Sequence, residues 1–343
     1  LKSIDNMKKI FNLIASFVLL AGFSACNKDD ADKPGLPPAP VPTVNYKGLT
    51  FISSGKSAVC LAKVGASDEI TLEYSTDESQ WNPYTIGEKI SLADGTFLLF
   101  RAGEQKNLTF SKGSDSYYHF EISGPVTAQG NIMSLLDRDF STPLSTNAFF
   151  ALFEGCKSLL SAPELPATTM AQGCYFRMFA ECTGLKSAPE LPAEALAYNC
   201  YGRMFKGCSA LTYVPDLPAT KMEAYCYNSM FANCTSLKFA PELPAKRLES
   251  NCYHCMFEGC TSLTSAPELP ATELVSNCYE FMYKDCSNLR YVIGLFITEP
   301  SKKTTEDWLS GVAASGTFIK SRKATWDVTG AHGIPEGWKI ETW

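Results

Sequence analysis

Between Cys252 and Cys260 the chain reads CYHCMFEGC, which sets His254 and three cysteines within nine residues. Thiolate and imidazole together can hold zinc, and two nearby thiols can cycle between dithiol and disulfide. The other cysteines argue against both chemistries. Cys156, Cys182, Cys208, Cys234, Cys260 and Cys286 form one column with a period of 26 residues, and Cys174, Cys200, Cys226, Cys252 and Cys278 form a second. Cys26, Cys60 and Cys255 complete the total of fourteen. Cys255 stands where other copies carry Arg177, Arg203, Ser229 and Phe281, and His254 shares its slot with Phe176, Gly202, Asn228 and Glu280. A structural zinc site needs four ligands, and no second pair accompanies this one. A redox pair would need a thioredoxin-like pattern, which is absent. The CYHC stretch is one column cysteine beside two variable residues.

Other catalytic chemistries have less to work with. Only three histidines occur, His119, His254 and His332, and no zinc-protease helix, nucleophile elbow or phosphate loop accompanies them. Paired carboxylates of a hydrolase carry no local motif, so nothing positive supports an enzyme, and the chain is read as non-catalytic. Two regular columns suggest binding instead. Glu164, Glu190, Asp216, Glu242 and Glu268 recur in the PELP segments. Neighbours about 4.8 Å apart would repel by roughly 1 kcal/mol in water. The ladder is either a solvated row or a calcium column sharing ions between coils; no other cofactor is expected. Ser161, Ser187, Tyr213, Phe239, Ser265 and Tyr291 form a variable column two residues after each strand leucine. Tyr213 and Phe239 would stack on adjacent coils, with Lys238, Arg290 and Tyr291 completing the candidate ligand-binding set. Exposed aromatics flanked by cations suit a protein or glycan ligand; the alternative is that they merely cover the sheet.

The elements that must position these residues begin with a leader. From Met7 the sequence MKKIFNLIASFVLLAGFSAC has a positive start, an apolar stretch and small residues before Cys26, the pattern of a signal peptide too short to span a membrane. Its end resembles the lipobox of a bacterial lipoprotein, which implies acylation of Cys26. NKDDADK after it looks like the export signal of lipoproteins of the Bacteroidetes, implying a lipid anchor in the outer membrane with the protein exposed outside. The formal net charge of −6, with no basic run, argues against nucleic acid. Export would permit disulfides, but thirteen cysteines would remain after acylation, an odd number, and columns of six and five cannot pair completely. Buried thiols acting as small hydrophobes are the preferred reading.

The expected organisation is a leader over 1–26, a proline-rich spacer over 27–44, a β-sandwich over 45–131, a repeat array over 132–296 and a closing segment over 297–343. The sandwich follows from short β-branched and aromatic runs, with Asp94-Gly95 as a hairpin signal and Trp81 and Phe97–Phe100 in or near the core. In each repeat Met170, Cys174, Met178 and Cys182 lie four apart, which predicts a short helix capped by Thr168. Pro189 and Pro192 then force an extended segment, predicted to pair in parallel with its copies. The fold class expected is an α/β leucine-rich-repeat solenoid preceded by a small antiparallel sandwich.

MFEGCTSL and APELPAT, with their near-copies, resemble the BspA-like leucine-rich repeat family of bacterial surface proteins. The resemblance implies a monomeric surface lipoprotein that adheres to host or microbial macromolecules. A glycan-capturing subunit of a nutrient-uptake system is the alternative.

Overall fold

The computed structural model describes residues 47–65, 69–104 and 108–343. The leader, Cys26 and the spacer lie outside the described residues. Two antiparallel sheets open the described chain, as the alternation of apolar and polar residues expects. One orders β4 (Asn82–Tyr84), β3 (Leu72–Ser75), β6 (Phe97–Ala102), β1 (Leu49–Ser53) and β9 (Val126–Gln129); the other orders β5 (Lys89–Leu92), β2 (Ser57–Val64), β8 (Ser116–Ser123) and β7 (Ser111–Gly113). Phe51, Phe100 and Phe120 meet between them, with ring centroids 5.0–6.0 Å apart. Cys60 is buried in β2.

Two local expectations in the sandwich are corrected. Asp94-Gly95 does turn the chain, with Thr96 N–H bonded to Ala93 O at 3.2 Å, but it carries the chain from one sheet to the other and joins no hairpin. Only Gly95 has positive φ (+73°), whereas a type I′ turn needs it at both central residues. Trp81 is half-buried at the surface, where the Arg101 guanidinium lies 3.7 Å from its ring centroid.

No boundary separates the sandwich from the repeats. A parallel partner, β10 (Leu159–Ser161) of the first coil, adds to the free edge of β9. Phe120 of the sandwich stacks on Phe153 at 5.2 Å, and the column runs on through Phe179, Phe205, Phe231 and Phe257 to Tyr283. A second buried column joins Phe149, Tyr175, Tyr201, Tyr227, Tyr253 and Tyr279 to Trp308. Residues Asn45–Trp343 accordingly form one compact unit.

The repeats contain no helix, which overturns the α/β class. The one helical element among the described residues is a 3-10 turn at Ile132–Leu135; among those residues no helix is long and apolar enough to cross a membrane. Met170 is half-buried, and Cys174, Met178 and Cys182 are fully buried, but consecutive β-turns place them there. Cys174, Phe176, Met178, Ala180 and Cys182 each donate N–H to the carbonyl three residues back. Between them Gly173, Tyr175, Arg177, Phe179 and Glu181 donate to Tyr198, Cys200, Gly202, Met204 and Lys206 of the next coil. Every fourth residue (Gly173, Arg177, Glu181) takes positive φ near 60°, as the third position of a type II turn requires. An α-helix cannot accept that dihedral at every turn. A four-residue repeat of turns buries the same side chains as a helical stripe while giving half its donors to the neighbouring coil.

The extended segments are also less regular than expected. At the C-terminal end β11 (Glu268–Leu269), β12 (Tyr291–Gly294), β13 (Thr317–Lys320) and β14 (Lys339–Thr342) form a parallel sheet. In the middle coils only isolated bridges remain, such as Ser187 with Tyr213. Trp308, Trp326 and Trp338 close the array, and their indole N–H groups bond Gly333 O, Phe296 O and Ala313 O at 2.8, 3.3 and 2.8 Å. The end of the core is covered, as a terminal repeat requires.

Candidate functional site

The thirteen cysteines from Cys60 to Cys286 are all free and buried. Their geometry shows what the first column does. Sγ of Cys156, Cys182, Cys208, Cys234, Cys260 and Cys286 donates to the carbonyl of Phe120, Phe153, Phe179, Phe205, Phe231 and Phe257 at 3.0–3.2 Å. Within the array each of those carbonyls also accepts the N–H of the column cysteine three residues on, as Phe153 O does from Cys156 N–H at 3.1 Å. The thiol therefore satisfies a second lone pair inside an apolar core. Burial pushes the Cys156 and Cys260 thiols up to about 12, so they are not nucleophiles at neutral pH.

On the extended side, Phe239 is 70% exposed and Tyr213 58%. They are the two most exposed large apolar side chains among the described residues. They occupy equivalent positions on adjacent coils but make no ring contact, so the expected stacking is absent. Lys238 and Arg290 are exposed beside the column, while Tyr291 is half-buried in β12. The backbone around Phe239 is open. Ala188 N–H bonds Tyr213 O and Ala266 N–H bonds Tyr291 O, but no backbone bond joins Lys238–Glu242 to either neighbouring coil. Unpaired backbone groups beside the exposed rings offer both hydrogen bonds and apolar area to a partner.

The acidic ladder lies on the same side. Glu164, Glu190, Asp216 and Glu242 are exposed and Glu268 half-buried. Partial loss of water in the stack, then the charges of Asp216 and Glu268, raise the Glu242 carboxyl above its ordinary value. Among the described residues no three His, Cys, Asp or Glu side chains converge as metal ligands.

Turn-side residues form a second surface, which includes the variable positions His254 and Cys255. An open groove of about 610 Å³ crosses the coils from Phe176 to Glu280. Its floor is a polar chain: Ser229 Oγ donates to Asn228 Oδ1 (3.3 Å), Asn228 Nδ2 donates to His254 Nδ1 (2.9 Å), and His254 Nε2 faces Glu280 Oε2 (3.5 Å). Accepting at Nδ1 leaves the proton on Nε2. Burial lowers the His254 pKa, which keeps the imidazole neutral. Cys255 Sγ lies 3.8 Å from His254 Nε2, but burial pushes this thiol to about 12 as well. Tyr198 and Tyr225 rim the groove edge-to-face, with centroids 5.7 Å apart. His119 sits on β8, and His332 lies in the closing segment, so the three histidines are not gathered into one site.

One signal for this surface was present in the sequence. The residue before each CY pair is Gly173, Asn199, Tyr225, Asn251 or Asn277, and each has positive φ between 52° and 61°. Glycine and asparagine mark the left-handed positions that a helix would not contain.

Comparison with protein-family models, with curated proteins and with solved structures found no match.

Proposed function

We propose that this chain is a non-catalytic binding protein of the cell surface, anchored through acylated Cys26 in the outer membrane and adhering to extracellular macromolecules through the extended side of its repeat array. The carrying observation is the pairing of Tyr213 and Phe239 on adjacent coils where the backbone ladder is open. Natural soluble surfaces seldom leave such rings beside unpaired strand groups without use. The resemblance of the repeat motif to BspA-like surface proteins supports the same reading. So does the chemistry of the array: its cysteines are buried core residues with raised pKa values, and those of the first column are hydrogen-bonded to carbonyls, which suits a scaffold.

Replacing Tyr213 and Phe239 by serine tests it. Serine already occupies the equivalent positions at Ser187 and Ser265, so the melting temperature should hold. Retention on immobilised extracellular-matrix proteins should fall at least about tenfold, since truncating central aromatics commonly costs about 2 kcal/mol. Undiminished retention would remove the extended side from the binding role.

A further inference from the structure

We propose that the turn-side groove is a binding site for a neutral oligosaccharide, distinct from the aromatic pair on the extended side. Three observations carry it.

First, the floor is built and not merely solvent-exposed. Asn228 and Ser229 are buried, and the Ser229–Asn228–His254–Glu280 chain crosses three coils. Such a chain fixes the orientation of the amide and the imidazole before any ligand arrives. Donors and acceptors alternate along it, which matches hydroxyl groups that both give and take a proton.

Second, the rim carries two exposed rings. Tyr198 and Tyr225 are 45% and 36% exposed and meet at 5.7 Å. An aromatic face covers the C–H face of a pyranose, while the flanking amides of Asn199 and Asn251 bond its edge hydroxyls.

Third, Tyr225 is held where the backbone resists it. Its φ is +61° in a column that otherwise carries Gly173, Asn199, Asn251 and Asn277. A bulky residue in that region is strained by about 1–2 kcal/mol relative to glycine. The strain presents a ring to the groove at the one coil where the column departs from small residues.

Charge and length narrow the ligand. Arg203 and Lys206 are matched by Glu258 and Glu280, so the groove offers no net field to a polyanion or polycation. It crosses five coils, which at about 4.8 Å per step is about 20 Å. A short chain of sugars fills that length, and a monosaccharide does not.

The test uses saturation-transfer NMR and calorimetry on the purified protein with cellotetraose, chitotetraose and mannotetraose, and with a heparin tetrasaccharide as the anionic probe. At least one neutral tetrasaccharide should receive saturation and bind measurably at millimolar concentration or below. Tyr198→Ala, and separately Tyr225→Asn, should each weaken that binding at least tenfold. Tyr225→Asn installs the residue of the neighbouring coils, so its melting temperature should stay level or rise. The Tyr213→Ser/Phe239→Ser variant should bind the sugar as the wild type does, which separates this site from the adhesive surface. No binding of any neutral probe, binding of the heparin fragment alone, or wild-type affinity in both groove variants would overturn the assignment.

Discussion

Replacing Gly259 by alanine should destabilise the array by about 2 kcal/mol, and replacing Gly155 by alanine in the same column by only about 1 kcal/mol. The column reads Gly155, Glu181, Gly207, Asn233, Gly259, Asp285, Gly311, alternating glycine with a longer residue. A Cβ on Gly259 would run into Asn233 Oδ1, one on Gly207 into the Glu181 carboxylate, and one on Gly311 into Asp285 Oδ1. Gly155 meets nothing within 4 Å. Both Gly155 and Gly259 have positive φ, +74° and +71°. Alanine in that region costs about 1–2 kcal/mol, partly offset by about 0.4–1 kcal/mol from the stiffer unfolded chain. That net term is common to both sites. Gly259→Ala must in addition turn the exposed Asn233 side chain out of its present rotamer, a term of about 0.5–1.5 kcal/mol. Thermal and urea unfolding followed by far-ultraviolet circular dichroism would read the difference, about 2–4 °C per kcal/mol at most for a chain of this size. The double variant Asn233→Gly/Gly259→Ala removes the obstacle and should fall back to the Gly155→Ala penalty. Equal losses at Gly155 and Gly259, or no recovery in the double variant, would refute the stacking argument.

Two further outcomes are expected. Iodoacetamide at pH 8 should label almost none of the thirteen described thiols in the folded protein, because burial raises groups such as Cys156, Cys174 and Cys278 to about 12; in denaturant without reductant most should react, and mass spectrometry showing disulfides would contradict the thiol-to-carbonyl bonding. Glu242 has a raised pKa in the fold, so its contribution is fully present below the ordinary value of 4.5 and is lost as pH rises through the folded value; Glu242→Gln should therefore raise the melting temperature at pH 7 and not at pH 3.5, calcium should not substitute for the mutation, and a calcium-induced rise in the wild type would instead assign the ladder as an ion column.

Which side chains are buried was legible in the sequence, and the backbone that buries them was not. Cys174, Met178 and Cys182 are spaced by four, and that spacing suits a helix with 3.6 residues per turn nearly as well as a ladder of turns with a period of four. The discriminating residues were Gly173, Asn199, Asn251 and Asn277, whose left-handed backbone interrupts a helix. Tyr213 and Phe239 could be placed at the surface because one register fixes the facing of every equivalent residue. The groove was hidden for the opposite reason. Its parts come from different columns of five coils, and Asn228, His254 and Glu280 are meaningful only when stacked beside one another. The Asp94-Gly95 turn failed as a hairpin signal because a local turn does not specify which sheet the next strand will join.

The stacking of Phe153 on Phe120 and of β10 on β9 makes the sandwich a template for the array. A chain emerges N-terminus first, from the ribosome or from an export channel, and its early part folds before the rest has followed. The sandwich thus presents a finished strand edge and a finished ring before any coil exists. The first coil has one register in which β10 meets β9 and Phe153 meets Phe120, and each later coil copies the register below it. An array of near-identical repeats is open to slipped pairings, in which one coil docks on the wrong copy. Seeding from a unique end, and stopping at a unique cap of tryptophans, leaves growth in one direction with no coil free to choose a partner.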